Sequence, residues 1–114
     1  MLTVIFEVTP KPGQAQRYFE IATELVTELQ KIDGFISVER FESLTRPGTF
    51  LSLSTWRDEE AVKRWRNQAT HRDGQREGRE AVFASYRIRV AQVLRDYSLV
   101  ERDEAPTDSN AALL

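Results

Sequence analysis

The strongest constraint on this chain is the order in which its apolar residues change period. Leu2, Val4, Phe6 and Val8 alternate with Thr3, Ile5, Glu7 and Thr9, the two-residue repeat of a strand. Pro10-Lys11-Pro12-Gly13 stops it. From Gln14 to Lys31 the spacing lengthens to three and four. Ala15, Tyr18, Phe19, Ala22, Leu25, Val26 and Leu29 form one helical stripe, with Glu20, Glu24 and Glu28 away from it. Asp33-Gly34 ends this helix, glycine being the usual left-handed terminator. Phe35 to Leu44 and Phe50 to Trp56 return to extended character. The turn Thr45-Arg46-Pro47-Gly48 between them predicts a hairpin.

Asp58 is placed to cap a second helix, and Glu59 and Glu60 complement its dipole. Helical character runs to about Phe83, with a break expected near Asn67. Tyr86 to Tyr97 reads as a last strand. Ile88, Val90 and Leu94 point one way, Arg87, Arg89 and Arg95 the other. The order β-α-β-β-α-β predicts an α+β, ferredoxin-like domain, a four-stranded antiparallel sheet with both helices on one face.

The hairpin carries apolar residues on both faces. Phe35 and Phe41 are expected on one side of its first strand, Ile36, Val38 and Leu44 on the other. Helices cover one face, so a second subunit is expected on the other. A chain of 114 residues buries a modest core, which dimerisation would enlarge. The expected organisation is one domain over residues 1–100 and a flexible polar tail over 101–114.

The formal net charge of −2 gives no reason to expect nucleic acid or an anionic membrane as partner. Cysteine is absent, so disulfides, thiol nucleophiles and thiolate metal sites are excluded. The first residues read as a strand without a basic leader, not as a signal peptide. No run approaches the roughly 20 apolar residues of a membrane helix. A soluble cytoplasmic protein is the expectation. Phosphate-binding glycine loops and metal-ligand clusters are also missing from the sequence.

His71 is the only histidine, and its ordinary pKa makes it the first candidate for proton transfer. On a helix it shares a face with Gly74, Gln75 and Gly78, whose glycines allow close packing or leave room for a ligand. The alternative is a histidine satisfied by a neighbouring carboxylate or carbonyl. Trp65 offers a rigid surface for a planar ligand, or simply fills the core as Trp56 is expected to do. Phe19, Phe35, Phe50 and Tyr86 are candidate aromatic walls, again with ordinary core as the plainer reading. Asn67, beside the helix break, offers an amide for an oxyanion or for dioxygen. From Lys63 to Arg95 nine basic residues face three acidic ones. A solvated face with arginines paired across a dimer accounts for them, although Arg89 could hold an anionic group bidentately.

The strand Leu51-Ser52-Leu53-Ser54-Thr55-Trp56, the acidic cap Asp58-Glu59-Glu60-Ala61 and the run Trp65-Arg66-Asn67-Gln68-Ala69-Thr70-His71-Arg72 carry a family resemblance. With Arg87-Ile88-Arg89-Val90 in the last strand, the chain resembles the antibiotic biosynthesis monooxygenase family over residues 1–100. That resemblance implies a dimeric α/β barrel, sheets paired face to face, and a pocket between helices and sheet in each subunit. It implies oxidation of an aromatic phenol, quinol or polyketide-like molecule by dioxygen with no metal or other cofactor. His71 and Asn67 would then be catalytic, and Trp65, Phe19, Phe35, Phe50, Tyr86 and Arg89 would bind substrate. A binding dimer without turnover is the alternative. Haem-degrading members have an Asn in the first strand and a His ten residues after the Trp. Here those positions hold Phe6 and Gln75, which argues against haem degradation.

Overall fold

A computed structural model describes residues 1–113, the side chains of residues 69–71 and 113 excepted. The elements run β1 (Leu2–Pro10), α1 (Ala15–Leu29), β2 (Phe35–Glu42), β3 (Phe50–Trp56), α2 (Glu59–Arg66), α3 (Ala69–Glu77), β4 (Phe83–Gln92) and α4 (Thr107–Leu113). A five-residue π-helical turn, Gly78–Val82, joins α3 to β4. The strands form one sheet in the order β2-β3-β1-β4, with every neighbouring pair antiparallel. This is the expected α+β ferredoxin-like sheet.

The alternation read in β1 sets the two faces. Leu2, Val4, Phe6 and Val8 pack beneath the helices. Register then carries the division across the sheet. Val8 lies opposite Phe50 and Tyr86, Phe6 opposite Ser52 and Ile88, Val4 opposite Ser54 and Val90. Arg87 and Arg89, opposite Glu7 and Ile5, occupy the far face.

One expectation fails in β2, for a local reason. The pairing steps from Phe35↔Trp56 to Ser37↔Thr55, so Ile36 is an extra residue in a bulge. A bulge shifts side-chain parity by one. Phe35 and Val38, expected on opposite faces, both join the cluster around Trp56. Arg40, two residues on, therefore also stands on the helix face, opposite Ser52. Phe41 lies on the far face opposite Leu51.

The core has two centres. One joins Val8, Tyr18, Ile21, Phe50 and Val82; the other joins Leu29, Trp56, Ala61 and Val62. Asp58 caps α2 as expected, accepting from the Ala61 amide at 2.9 Å. Gly34 ends the α1 connection at φ +94°, and a Cβ there would stand 2.7 Å from the Ala61 Cβ. Only glycine tolerates both the angle and the approach.

Three boundaries differ from expectation. β2 ends at Glu42 rather than Leu44, and β4 runs from Phe83 to Gln92, so Leu94 and Arg95 fall beyond it. The second helical stretch divides at Asn67-Gln68 into α2 and α3, where the break is expected. The segment after Val100 contains α4 and local contacts. Arg102 Nε donates to Asn110 Oδ1 at 2.9 Å, and its guanidinium lies 5.1 Å from the Tyr97 ring centre. No helix among the described residues is long and apolar enough to cross a membrane.

Candidate active site

The helix face of β3 reads Phe50, Ser52, Ser54, Trp56. Large rings at both ends and serines between them leave a hollow in the middle of the sheet. α1 roofs it with Ile21, Ala22, Leu25 and Leu29, and Trp65 of α2 and Gly74 and Gln75 of α3 close further sides. The cavity measures about 250 Å³, just below the roughly 300 Å³ at which small-molecule sites usually begin.

Its mouth is at β4. Tyr86, Ile88 and Val90 line the cavity, yet they remain 45%, 45% and 51% exposed because the helices stop short of this strand. Such uncovered apolar surface beside a hollow suits a ligand that must enter and leave.

The walls are shaped by close packing. A Cβ on Gly74 would lie 3.3 Å from both Ile21 Cγ2 and Leu25 Cδ1, so α3 sits tightly on α1. Arg17 of α1 holds Glu77 at the end of α3 with two hydrogen bonds, of 2.5 and 2.6 Å. At the other end Trp56 is fully buried. Its Nε1 donates to Ser54 Oγ at 2.9 Å, and its ring stacks against Trp65 at 6.4 Å between centres.

Tyr18 lies among Phe50, Phe83 and Phe19, with ring centres 5.5 to 5.9 Å away. It is only 3% exposed, and its Oη has no hydrogen-bond partner among the described residues. Burial pushes its pKa up from the ordinary tyrosine value, opposed by the neighbouring Arg40 guanidinium. The Arg40 guanidinium carbon is 5.7 Å from the Tyr18 ring centre, and Arg40 Nε is buried without an acceptor. Arg66 and Arg79 complete the charged lining.

Two of the expected binding residues, Trp65 and Tyr86, line this cavity. The others do not. Phe19 and Phe50 pack edge-on to each other at 4.9 Å, behind Tyr18. Phe35 packs edge-on against Trp56 at 5.4 Å. Arg89 stands on the far face of the sheet, opposite Ile5. Asn67 is exposed at the end of α2. Its Nδ2 donates to the Lys63 carbonyl at 2.9 Å and its Oδ1 accepts from Arg72, so its amide serves the helix break. His71 falls within α3, but its side chain lies outside the described residues.

Arg40 escapes a sequence reading because the bulge at Ile36 hides its face. A signal exists nonetheless. Counting the hairpin outward from its turn sets Arg40 across from Ser52, the first serine of the hollow. Among the described residues, no group of three His, Cys, Asp or Glu side chains is placed to hold a metal.

The family model for antibiotic biosynthesis monooxygenase matches residues 1–77. A Pyricularia oryzae protein named jasmonate monooxygenase ABM is 52% identical over 93 residues, covering 82% of this chain and 43% of that protein. This chain thus spans less than half the length of that relative. The Bacillus subtilis protein YqjZ is 31% identical over 78 residues, covering 68% of this chain and 67% of that one. A solved Deinococcus radiodurans structure assigned to the same family superposes with a TM-score of 0.75 at 14% identity, covering 87% of this chain and 98% of that one.

Proposed function

The chain belongs to the antibiotic biosynthesis monooxygenase family, and from that premise we propose that it oxygenates a small ring-bearing phenol or quinol within the cavity over Ser52 and Ser54. One observation carries this reading. The hollow is walled by aliphatic and aromatic side chains, yet holds a neutral, unpartnered Tyr18 hydroxyl, a combination suited to a mostly apolar ligand bearing polar groups.

The chemistry asks little of the protein. A deprotonated phenol passes an electron to dioxygen, and the two radicals combine at an activated ring methylene. The hydroperoxide then loses water. Methylene and dioxygen thus give ketone and water, mole for mole, with no outside reductant and no cofactor. The protein contributes a proton acceptor and a dry pocket. His71 is the acceptor in this reading. It lies three and four positions before Gly74 and Gln75, the α3 residues on the cavity wall. Trp65 and Tyr86 are the ring-contacting walls.

The active form in this reading is a cytoplasmic homodimer. The sheet face away from the helices bears Ile5, Leu51, Leu53 and Phe41, and pairing it with a second copy would cover them. Neither nucleic acid nor membrane is a partner.

The test is oxygen uptake with labelled dioxygen over a panel of polycyclic phenols and quinols. One oxygen atom in the product and a His71→Ala loss of about 100-fold or more in turnover are expected. Saturable binding without uptake would instead make this a binding dimer.

A further inference from the structure

The cavity is largely apolar in its lining but one-signed in charge. Among the described residues, every ionisable wall residue other than tyrosine is an arginine: Arg40, Arg66 and Arg79. No carboxylate is among the wall residues, and none of the three arginines makes an ion pair among the described residues. Elsewhere the chain pairs its arginines readily, as Arg17 with Glu77 and Arg57 with Asp33. The nearest acid on the helix face of β2 is Glu42, which accepts from the Gly48 amide instead.

Two polar atoms on this wall are buried and unsatisfied, Tyr18 Oη and Arg40 Nε. Native structures seldom keep such groups without a purpose, because each loses its hydration with no return. Here the two belong to neighbouring side chains, and each can donate to a ligand. Arg66 and Arg79, exposed where they line the cavity, extend the positive field outward.

We propose that the cavity takes an amphipathic carboxylate, its apolar ring body against Trp65 and Tyr86 and its carboxylate received by Arg40 and Tyr18. This rests on the cavity being the substrate site, and it narrows the substrate class to ring-bearing acids. A carboxylate offers several lone pairs, enough to accept from guanidinium and phenol together. Arg40 is in this account a binding residue, not a structural one.

Calorimetry with hydroxynaphthoate and its uncharged methyl ester tests the proposal. The parent protein is expected to bind the acid at least about tenfold more tightly than the ester, the scale of one charge-assisted hydrogen bond. Arg40→Leu should bind both equally, with ester affinity kept. Arg40→Lys should restore part of the preference, and Tyr18→Phe should lose part of it. Arg40→Leu should also melt no lower than the parent, since it removes an unpaired buried donor; a lower melting temperature would assign Arg40 to the fold. Equal affinities in the parent, or a preference that survives Arg40→Leu, would overturn the proposal. Failure of both probes to bind would overturn it together with the substrate-site reading, and binding of the ester alone would overturn the proposal. A clear preference without oxygen uptake on any substrate would keep the anion site and remove only the monooxygenase.

Discussion

Arg17 grips both carboxylate oxygens of Glu77, Nε on Oε2 and Nη2 on Oε1, and so ties the roof helix α1 to the end of α3. The two-bond geometry fixes direction as well as distance. It positions α3, which supplies Gly74 and Gln75 to the cavity wall.

Glu77→Gln should therefore loosen α3 against α1 and speed hydrogen exchange of the α3 amides. The pH dependence follows from the same pair. The Arg17 guanidinium holds the Glu77 carboxyl below its ordinary value of 4.5. A lowered native pKa stabilises above the unfolded value, and that contribution disappears as pH falls through the native one. The melting-temperature gap between parent and Glu77→Gln should thus be open at neutral pH and close in acid. A gap that persists well below the carboxylate range would refute this.

Gly78 opens the π-helical turn, and a Cβ there would fall 2.3 Å from Phe83 Cε2. Phe83 cannot yield freely, because its ring also meets Phe6 at 5.7 Å and Tyr18 at 5.9 Å. Gly78→Ala is expected to cost about 1–3 kcal/mol of stability in urea unfolding, as overpacking does. It should also disturb Tyr18 and hence ligand affinity.

The two tryptophans predict opposite phenotypes. Trp56 is wholly buried, so Trp56→Ala should cost about 3–5 kcal/mol. Trp65 is half-buried on the cavity wall, so Trp65→Ala should cost less stability and more ligand affinity. In Trp56→Phe the remaining fluorescence comes from Trp65, and bound ligand should still quench it. Unchanged emission at saturating ligand would place the ligand elsewhere.

The far face of the sheet makes the dimer testable. Leu53 stands in β3 between Ile5 and Glu39 on that face. Leu53→Glu should yield a monomer in light scattering while leaving far-ultraviolet dichroism in place. A parent protein that is itself monomeric at micromolar concentration would remove the dimer.

The element order, the single sheet, the Asp58 cap and the break at Asn67 were all legible in the residue pattern. Each rests on local physics: side-chain period, a capping carboxylate, a turn of fixed chemistry. Trp65 and Tyr86, which do line the cavity, are large aromatics that emerge on the helix side of the sheet whichever function the cavity serves. Phe19, Phe35 and Phe50 instead pack against other rings, and an apolar ring carries no mark in the sequence saying whether it meets a cavity or another ring.

By itself, then, the sequence determined the fold class and where most elements of the sheet and its helices begin, because hydrophobic period and capping act over a few residues. Only the tertiary structure decided the site. A one-residue bulge at Ile36 turned Arg40 inward, and strand register set it across from Ser52, near Tyr18 of α1. Register and bulges are fixed by pairing between distant segments, so the charge of the cavity is a property of the assembled sheet rather than of any local run of residues.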